Sequence, residues 1–315
     1  MKMKYKAYKL KFNTPLHIGK TRLHEHENII SADTLFSALC NEALLLYGKQ
    51  GIQKLISYLE NDRLRFTDTM PFHKDIYYIP KPIVSMDWPI ESDSLVRKMF
   101  KKLNYIDSEK IDAFFRGELD PEKEARRLEG IGKAALRTMN AIDENQKVVP
   151  YQVGIYSFNS EDLWGLYFLL GYESDDEMYF IEDLLCSLEL SGIGGKKSAG
   201  FGKFTLKFGG IPQAYEEALR IDGNGGIYET LSISMAEDDK LAEIMENAQY
   251  ALIRRGGFVF SETYAKSLTR KRDYYMFKAG STFRKTFEGV LADVSSNGGH
   301  PVYRYGKPIF LEIRK

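Results

Sequence analysis

The 315-residue sequence has two cysteines, five histidines and no excess of charge of either sign. Two thiols allow at most one disulfide. Cys40 and Cys186 both fall on apolar stripes of predicted helices, so buried free thiols and a reducing cytoplasm are expected instead. His24 and His26 flank Glu25, with His17 nearby. A metal site would need a third or fourth ligand at a defined spacing, and none is visible, so no metal and no cofactor is expected. No run approaches the roughly 18–20 apolar residues needed to span a bilayer. The start, Met1-Lys2-Met3-Lys4-Tyr5-Lys6, leads into charged residues rather than an apolar stretch, so neither a signal peptide nor a membrane partner is expected.

The charges cancel at 44 basic against 44 acidic residues, but they are not mixed. The first 24 residues hold seven Lys/Arg and no acid, and residues 191–210 hold Lys196, Lys197, Lys203 and Lys207, again with no acid. Residues 251–285 carry nine basic residues against Glu262 and Asp273. The balancing acids gather at residues 173–183 and 237–246. A chain with one basic and one acidic side presents a polyanion with a local potential that its net charge conceals. The 13% aromatic share, 20 Tyr and 19 Phe, suits β-sheets and equally suits surfaces on which bases stack.

The length allows two domains. Tyr8, Leu10 and Phe12 alternate with lysines in a first strand over residues 5–12. Ser31 and Asp33 are candidate N-caps for a helix whose stripe runs from Leu35 to Tyr47 and stops at Gly48. A shorter helix follows, then extended structure over 66–79. Residues 87–130 are charged and turn-rich and read as an insertion. Strands are predicted at 148–158 and 163–170, a helix around Ile181 to Leu188, and a strand at 204–208. The order β-α-(insertion)-β-β-α-β predicts an α+β, ferredoxin-like (RRM-like) domain over residues 1–210. After Gly209, Gly210 and Pro212, strands at 227–235, 250–259, 274–278, 287–290 and 308–313 and a helix at 238–248 predict a smaller domain of the same kind in tandem over 211–315.

The strongest local signal is the loop over 192–204, with five glycines in thirteen residues. Glycines permit positive φ and close backbone approach. With Lys196, Lys197 and the Ser198 hydroxyl, exposed amides there make a phosphate-binding nest. Lys196 stands where a Walker A loop needs glycine, and the loop follows a helix rather than a strand, which excludes that motif. Phe201 is placed either to stack on a base or to anchor the loop in the core. Arg254 and Arg255 lie on a strand, where neighbouring side chains point to opposite faces, so only one of them can reach a given groove.

A glycine-rich loop after the second helix of a ferredoxin-like domain resembles the RAMP superfamily of CRISPR-associated proteins. Leu16-His17-Ile18-Gly19 followed by Ser31-Ala32-Asp33-Thr34-Leu35-Phe36-Ser37-Ala38 is similar to the start of one group, the type III-A (Csm) effector subunit that caps the 5′ end of the guide RNA. Arg254-Arg255-Gly256-Gly257-Phe258-Val259, Tyr275-Met276-Phe277-Lys278-Ala279-Gly280-Ser281 and His300-Pro301-Val302-Tyr303-Arg304-Tyr305-Gly306 resemble its C-terminal half. The resemblance implies a non-catalytic subunit that holds the crRNA 5′ handle and bridges the large polymerase-like subunit to the backbone RAMP subunits. It also implies a thumb-like hairpin projecting from the insertion, which with the hairpin covers about residues 87–150. Lys133 and Arg137 there are candidate RNA contacts or solvated helical residues, and Glu144 stands where the group carries arginine. Phosphates would be held by Gly194, Gly195, Lys196, Lys197 and Ser198, by the Gly19-Lys20-Thr21-Arg22 turn beside His17, and by Arg254, Arg255 and Gly256. Two rival readings are a metal-independent endoribonuclease with His17 or His24 as base, and a scaffold that touches no RNA.

Overall fold

In a computed structural model, which describes residues 3–19, 22–85, 94–142, 146–221, 226–261, 263–265, 267 and 269–313, the alternation of the first strand sets the layers. Along β1 (Lys4–Phe12), Tyr8, Leu10 and Phe12 enter a core shared with two helices, whereas Ala7 faces the opposite side. A short ribbon, β2 (Ile18–Gly19) with β3 (His26–Glu27), precedes α1 (Ala32–Glu60). Then come β4 (Leu64–Phe66), β5 (Met70–His73) and β6 (Ile76–Pro80). The inserted region contains α2 (Ser94–Lys102), β7 (Tyr105–Asp107), α3 (Ile111–Phe115) and α4 (Pro121–Glu129), followed by the hairpin β8 (Gly132–Ile142) and β9 (Val148–Phe158). β10 (Trp164–Tyr172), α5 (Asp175–Ser191) and β11 (Phe204–Gly209) complete this half.

The main sheet has the antiparallel order β11-β1-β10-β5-β6-β7, with β4 also on β10. β11, β1, β10 and the broken strand β4–β5 therefore lie side by side, with α1 packed on α5 over one face, as in a ferredoxin-like β-α-β-β-α-β unit. Its second strand is residues 64–73 rather than 148–158. β9 pairs along its whole length with β8 and stands apart from the sheet. The two helices predicted on either side of Gly48 are both present within Ala32–Glu60, separated by a kink where Gly48 takes the non-helical φ +63°.

The second half holds α6 (Gln213–Ala218), β12 (Ile227–Thr230), α7 (Leu241–Ile244), β13 (Leu252–Arg255), β14 (Tyr274–Phe277), β15 (Thr282–Phe283), β16 (Val290–Asp293), β17 (Tyr303–Gly306) and β18 (Phe310–Ile313). Its sheets are β15-β12-β18, β13-β14 and β16-β17. The helix predicted over 238–248 forms only Leu241–Ile244. Leu231, Ile309, Leu311 and Tyr215 cover the side of the main sheet that faces away from α1 and α5, and Tyr305 enters the first core. β10 thus has apolar neighbours on both faces, which accounts for its unbroken apolar sequence.

Two expectations are corrected here. Ser31 occupies the N-cap position of α1 but its side chain makes no cap bond. Asp68 caps the helix instead, its Oδ1 accepting the Ala32 amide at 2.7 Å and the Ile233 amide at 3.2 Å, so one carboxyl ties both halves together. Cys186 is exposed on α5, and only Cys40 is inward, where burial pushes its thiol up to about 12.

Burial, only partly offset by these two amides, pushes the Asp68 carboxyl up to about 7. Unfolded, it would titrate near ~3.9. A carboxyl raised on folding contributes stability that is full below the unfolded value and is lost as pH rises through the folded one. Asp68→Asn is therefore expected to gain about 2–4 kcal/mol on wild type between pH 4 and pH 8. Urea unfolding of both proteins across that range checks this, and parallel curves would contradict it.

Candidate nucleic-acid interface

The chain from Asn13 to Gly19 runs between the hairpin and the glycine-rich loop and bonds to both. On the hairpin side, Leu16 and Tyr156 exchange two backbone hydrogen bonds of 2.8 Å. On the loop side, the Gly195 amide donates to the His17 carbonyl at 2.8 Å and the Gly202 amide to the Pro15 carbonyl at 2.8 Å. The loop closes on itself through the Ile193 amide and the Gly202 carbonyl at 3.0 Å. Gly202 has φ +71°, and a Cβ there would sit 1.8 Å from the Ile193 carbonyl oxygen, so only glycine fits.

His17 is buried in this junction. Its Nδ1 donates to the Gly154 carbonyl at 2.6 Å, and Gly195 lies close against its ring. Gly154 is the reciprocal feature on β9. Its amide donates to the Leu23 carbonyl at 3.0 Å, and a Cβ would meet the His24 carbonyl at 2.3 Å. Sequence reading missed Gly154, although a lone glycine inside a strand signals close backbone approach.

Lys196 takes a left-handed backbone at φ +60°. Its ammonium donates to the Tyr151 hydroxyl at 3.0 Å and lies 4.7 Å from that ring, so the loop is fastened to the hairpin by a residue pair in which Tyr151 was not foreseen. The Lys197 ammonium, the exposed Ser198 hydroxyl and the Lys197 and Ser198 amides have no partner among the described residues. These four groups are the unpartnered part of the loop.

Phe201 is 2% exposed, packed with Val153 and Ile155. It cannot stack on a base, which corrects that expectation; it anchors the loop on the hairpin. The Arg137 guanidinium lies 5.3 Å from the outer side of the same ring. Arg137 and Lys133 are exposed residues of β8, so the helical alternative for them is excluded. With 11 residues per strand, the hairpin reaches roughly 35 Å. Ile142, Val148 and Val149 are exposed near its end, while Glu144 lies outside the described residues.

Gly19 is exposed at the end of β2, and Arg22 is exposed at the turn, its carbonyl accepting the Glu25 amide at 3.0 Å. Lys20 and Thr21 lie outside the described residues. The three histidines diverge. His17 sits on Gly154, His26 stacks on Tyr156 at 6.0 Å, and His24 is exposed with its carbonyl against Gly154.

The two arginines point to opposite faces, as strand geometry requires. Arg254 is exposed and paired with Asp273. Arg255 turns inward and holds Asp33 with Nη2 at 2.7 Å and Nε at 3.1 Å, while Arg304 approaches the same carboxylate at 2.6 Å. Burial alone would raise Asp33, but the Arg255 and Arg304 charges outweigh it and hold the carboxyl below its ordinary value. Two expectations are corrected by this cluster. Asp33 is an ion-pair residue rather than a cap, and Arg255 is committed inside the fold rather than open to phosphate. Gly256 supports the cluster, since its carbonyl accepts from Arg304 at 3.1 Å and a Cβ would strike Asp273.

The sequence as a whole matches known proteins along most of its length. A profile of the RAMP superfamily matches residues 9–205, and one of the CRISPR Csm4 C-terminal domain matches residues 224–313. A Mycobacterium tuberculosis (strain CDC 1551 / Oshkosh) protein described as CRISPR system Cms protein Csm4 is 36% identical over 299 residues, 94% of each chain. A Streptococcus thermophilus protein of the same description is 32% identical over 319 residues, 99% of each chain. In fold, the chain resembles one from a crystal structure of the Csm3-Csm4 subcomplex in the type III-A CRISPR-Cas interference complex. The TM-score is 0.66 at 23% identity, over 98% of this chain and 100% of that one. It resembles one from a Csm1-Csm4 cassette in complex with pppApA with a TM-score of 0.61 at 17% identity, over 98% of each.

Proposed function

The chain belongs to the Csm4 family of the RAMP superfamily, and from that premise we propose that it is the non-catalytic subunit of a type III-A CRISPR effector complex that grips the 5′ handle of the crRNA. It works in the cytoplasm, in two units of about residues 1–210 and 211–315. It bridges the large polymerase-like subunit and the backbone RAMP subunits, as relatives found in Csm1-Csm4 and Csm3-Csm4 assemblies suggest.

The observation that carries the RNA reading is the glycine-rich loop. It is braced on two sides, by Pro15 and His17 and by the hairpin, yet it leaves the half-buried Lys197, the exposed Ser198 and their amides unpartnered among the described residues. A loop that needed only to connect α5 to β11 would not require such bracing. A phosphate in this nest would accept from two amides, a hydroxyl and an ammonium. His17 braces the loop by its ring and by its carbonyl, which gives it a structural role in place of that of a ribonuclease base.

The test is the double substitution Lys196→Ala with Lys197→Ala, titrated with handle RNA at several salt concentrations. Each phosphate contact to a single strand contributes about 0.7 to the slope of log K against log salt. Lys197 is open and Lys196 is half-spent on Tyr151, so the slope is expected to flatten by about 0.7–1.4, with affinity falling roughly tenfold. Unchanged affinity and slope would favour a scaffold without RNA contact.

A further inference from the structure

Beyond Gly256 the chain places two phenylalanines in water. Phe258 pairs with Arg270 in an antiparallel bridge, the Val259 amide donates to the Thr269 carbonyl at 2.9 Å, and the Lys271 amide to the Gly257 carbonyl at 2.9 Å. In such an extended segment successive side chains alternate. Val259 turns inward to a small cluster with Tyr264, Val294 and Val302. Phe258 and Phe260 turn outward, 52% and 79% exposed, and Phe260 is the most exposed aromatic ring among the described residues. Their Cα atoms are about 6.6 Å apart along an extended backbone. Burying a phenylalanine is a main source of core stability, so two in succession on an outer face serve no purpose in folding.

Their surroundings are cationic. The Arg270 guanidinium lies 5.9 Å from the Phe258 ring, and Arg254 and Arg272 are exposed nearby. Asp273 stands among them, paired to Arg254 and 3.9 Å from Arg270, which leaves a net positive surface. Beneath this surface, contacts through the inward-turned Arg255 and the buried His17 tie the second half of the chain to the glycine-rich loop. Arg255 reaches Glu27 of β3 at 3.9 Å, Glu27 and His26 pair with Ile18 and Gly19 of β2, and His17 bonds to Gly195. Rings interleaved with arginines are what unpaired bases need in order to stack while their phosphates are screened.

We propose that Phe258 and Phe260 form a stacking platform for unpaired bases of single-stranded RNA on the second half of the chain. The proposal rests on the guide-RNA reading given above. The experiment titrates the full chain with labelled single-stranded repeat RNA, comparing wild type, the Phe258→Ala/Phe260→Ala double variant and the Phe258→Trp/Phe260→Trp double variant. Both side chains are exposed, so the variants keep the fold. The alanine pair is expected to weaken binding about tenfold without altering the salt slope, because stacking releases no counterions, and the tryptophan pair to bind at least as well as wild type. Alanine variants that bind RNA like wild type would overturn the platform while leaving the guide-RNA reading intact. Variants that bind RNA normally but fail to join the partner subunits would overturn it in favour of a protein-docking surface. Wild-type protein that binds no RNA would overturn both readings.

Discussion

Asp33→Ala is expected to cost about 3–5 kcal/mol of folding stability, a loss typical of breaking a buried ion pair from one side. Asp33 is 7% exposed and Arg304 4% exposed, and the substitution leaves the Arg304 and Arg255 charges facing each other without the carboxylate between them. The three residues come from the start of α1, from β13 and from β17, so the loss also loosens the second half of the chain from the first. Asp33→Asn retains an acceptor for one arginine and should fall between wild type and alanine. Because the Asp33 carboxyl is held below its ordinary value, its contribution is present above pH ~4 and fades as the pH drops beneath that. Urea unfolding near neutral pH measures the difference. A loss under about 1 kcal/mol would mean that the cluster behaves as a solvated surface pair.

The second large effect is on binding. Gly202→Ala is expected to weaken handle RNA binding about 10- to 100-fold, the loss of one charge-assisted hydrogen bond of roughly 1.5–3 kcal/mol. The added methyl would lie 1.8 Å from the Ile193 carbonyl oxygen, so the bond that closes the loop cannot survive, and Lys197 and Ser198 move with it. Gly200→Ala is the control. Its φ of +83° is equally left-handed, but nothing lies within 4 Å of the new Cβ. That variant carries only a left-handed backbone penalty of about 1–2 kcal/mol and should hold RNA nearly as wild type does. Equal losses from the two substitutions would mean that loop flexibility, rather than its braced shape, governs binding.

The first half of the fold was legible because its signals are local and repeated. The alternation in β1, the stripe of α1 and the glycines before β11 each follow from a short stretch of chain. β9 was misassigned for the same reason. Its pattern is that of a strand, and nothing in it says that the partner is β8 instead of the main sheet. The second half was harder because its elements are short. β15 and β17, of two and four residues, carry too few positions for a pattern. The helix expected over 238–248 shrinks to four residues, since a short helix persists only where packing supports it, and there Ile244 is the one buried residue. In the site, the glycines and Lys196 to Ser198 were read from spacing. The partners that give them meaning, Tyr151 and Gly154, lie some 45 positions away along the chain. Arg255 resisted reading most, because its carboxylate is 222 residues distant and no local feature separates a buried guanidinium from an exposed one.

The central claim is that the 5′ handle of a guide RNA lies on the braced glycine-rich loop. It is tested most directly by reconstituting the effector complex with crRNA carrying 4-thiouridine in the handle, irradiating it and mapping the crosslinked peptides. Crosslinks are expected to residues 192–204 and to the hairpin of β8 and β9 against which the loop packs. Handle crosslinks confined to the partner subunits, or to the acidic face around residues 173–183, would contradict it.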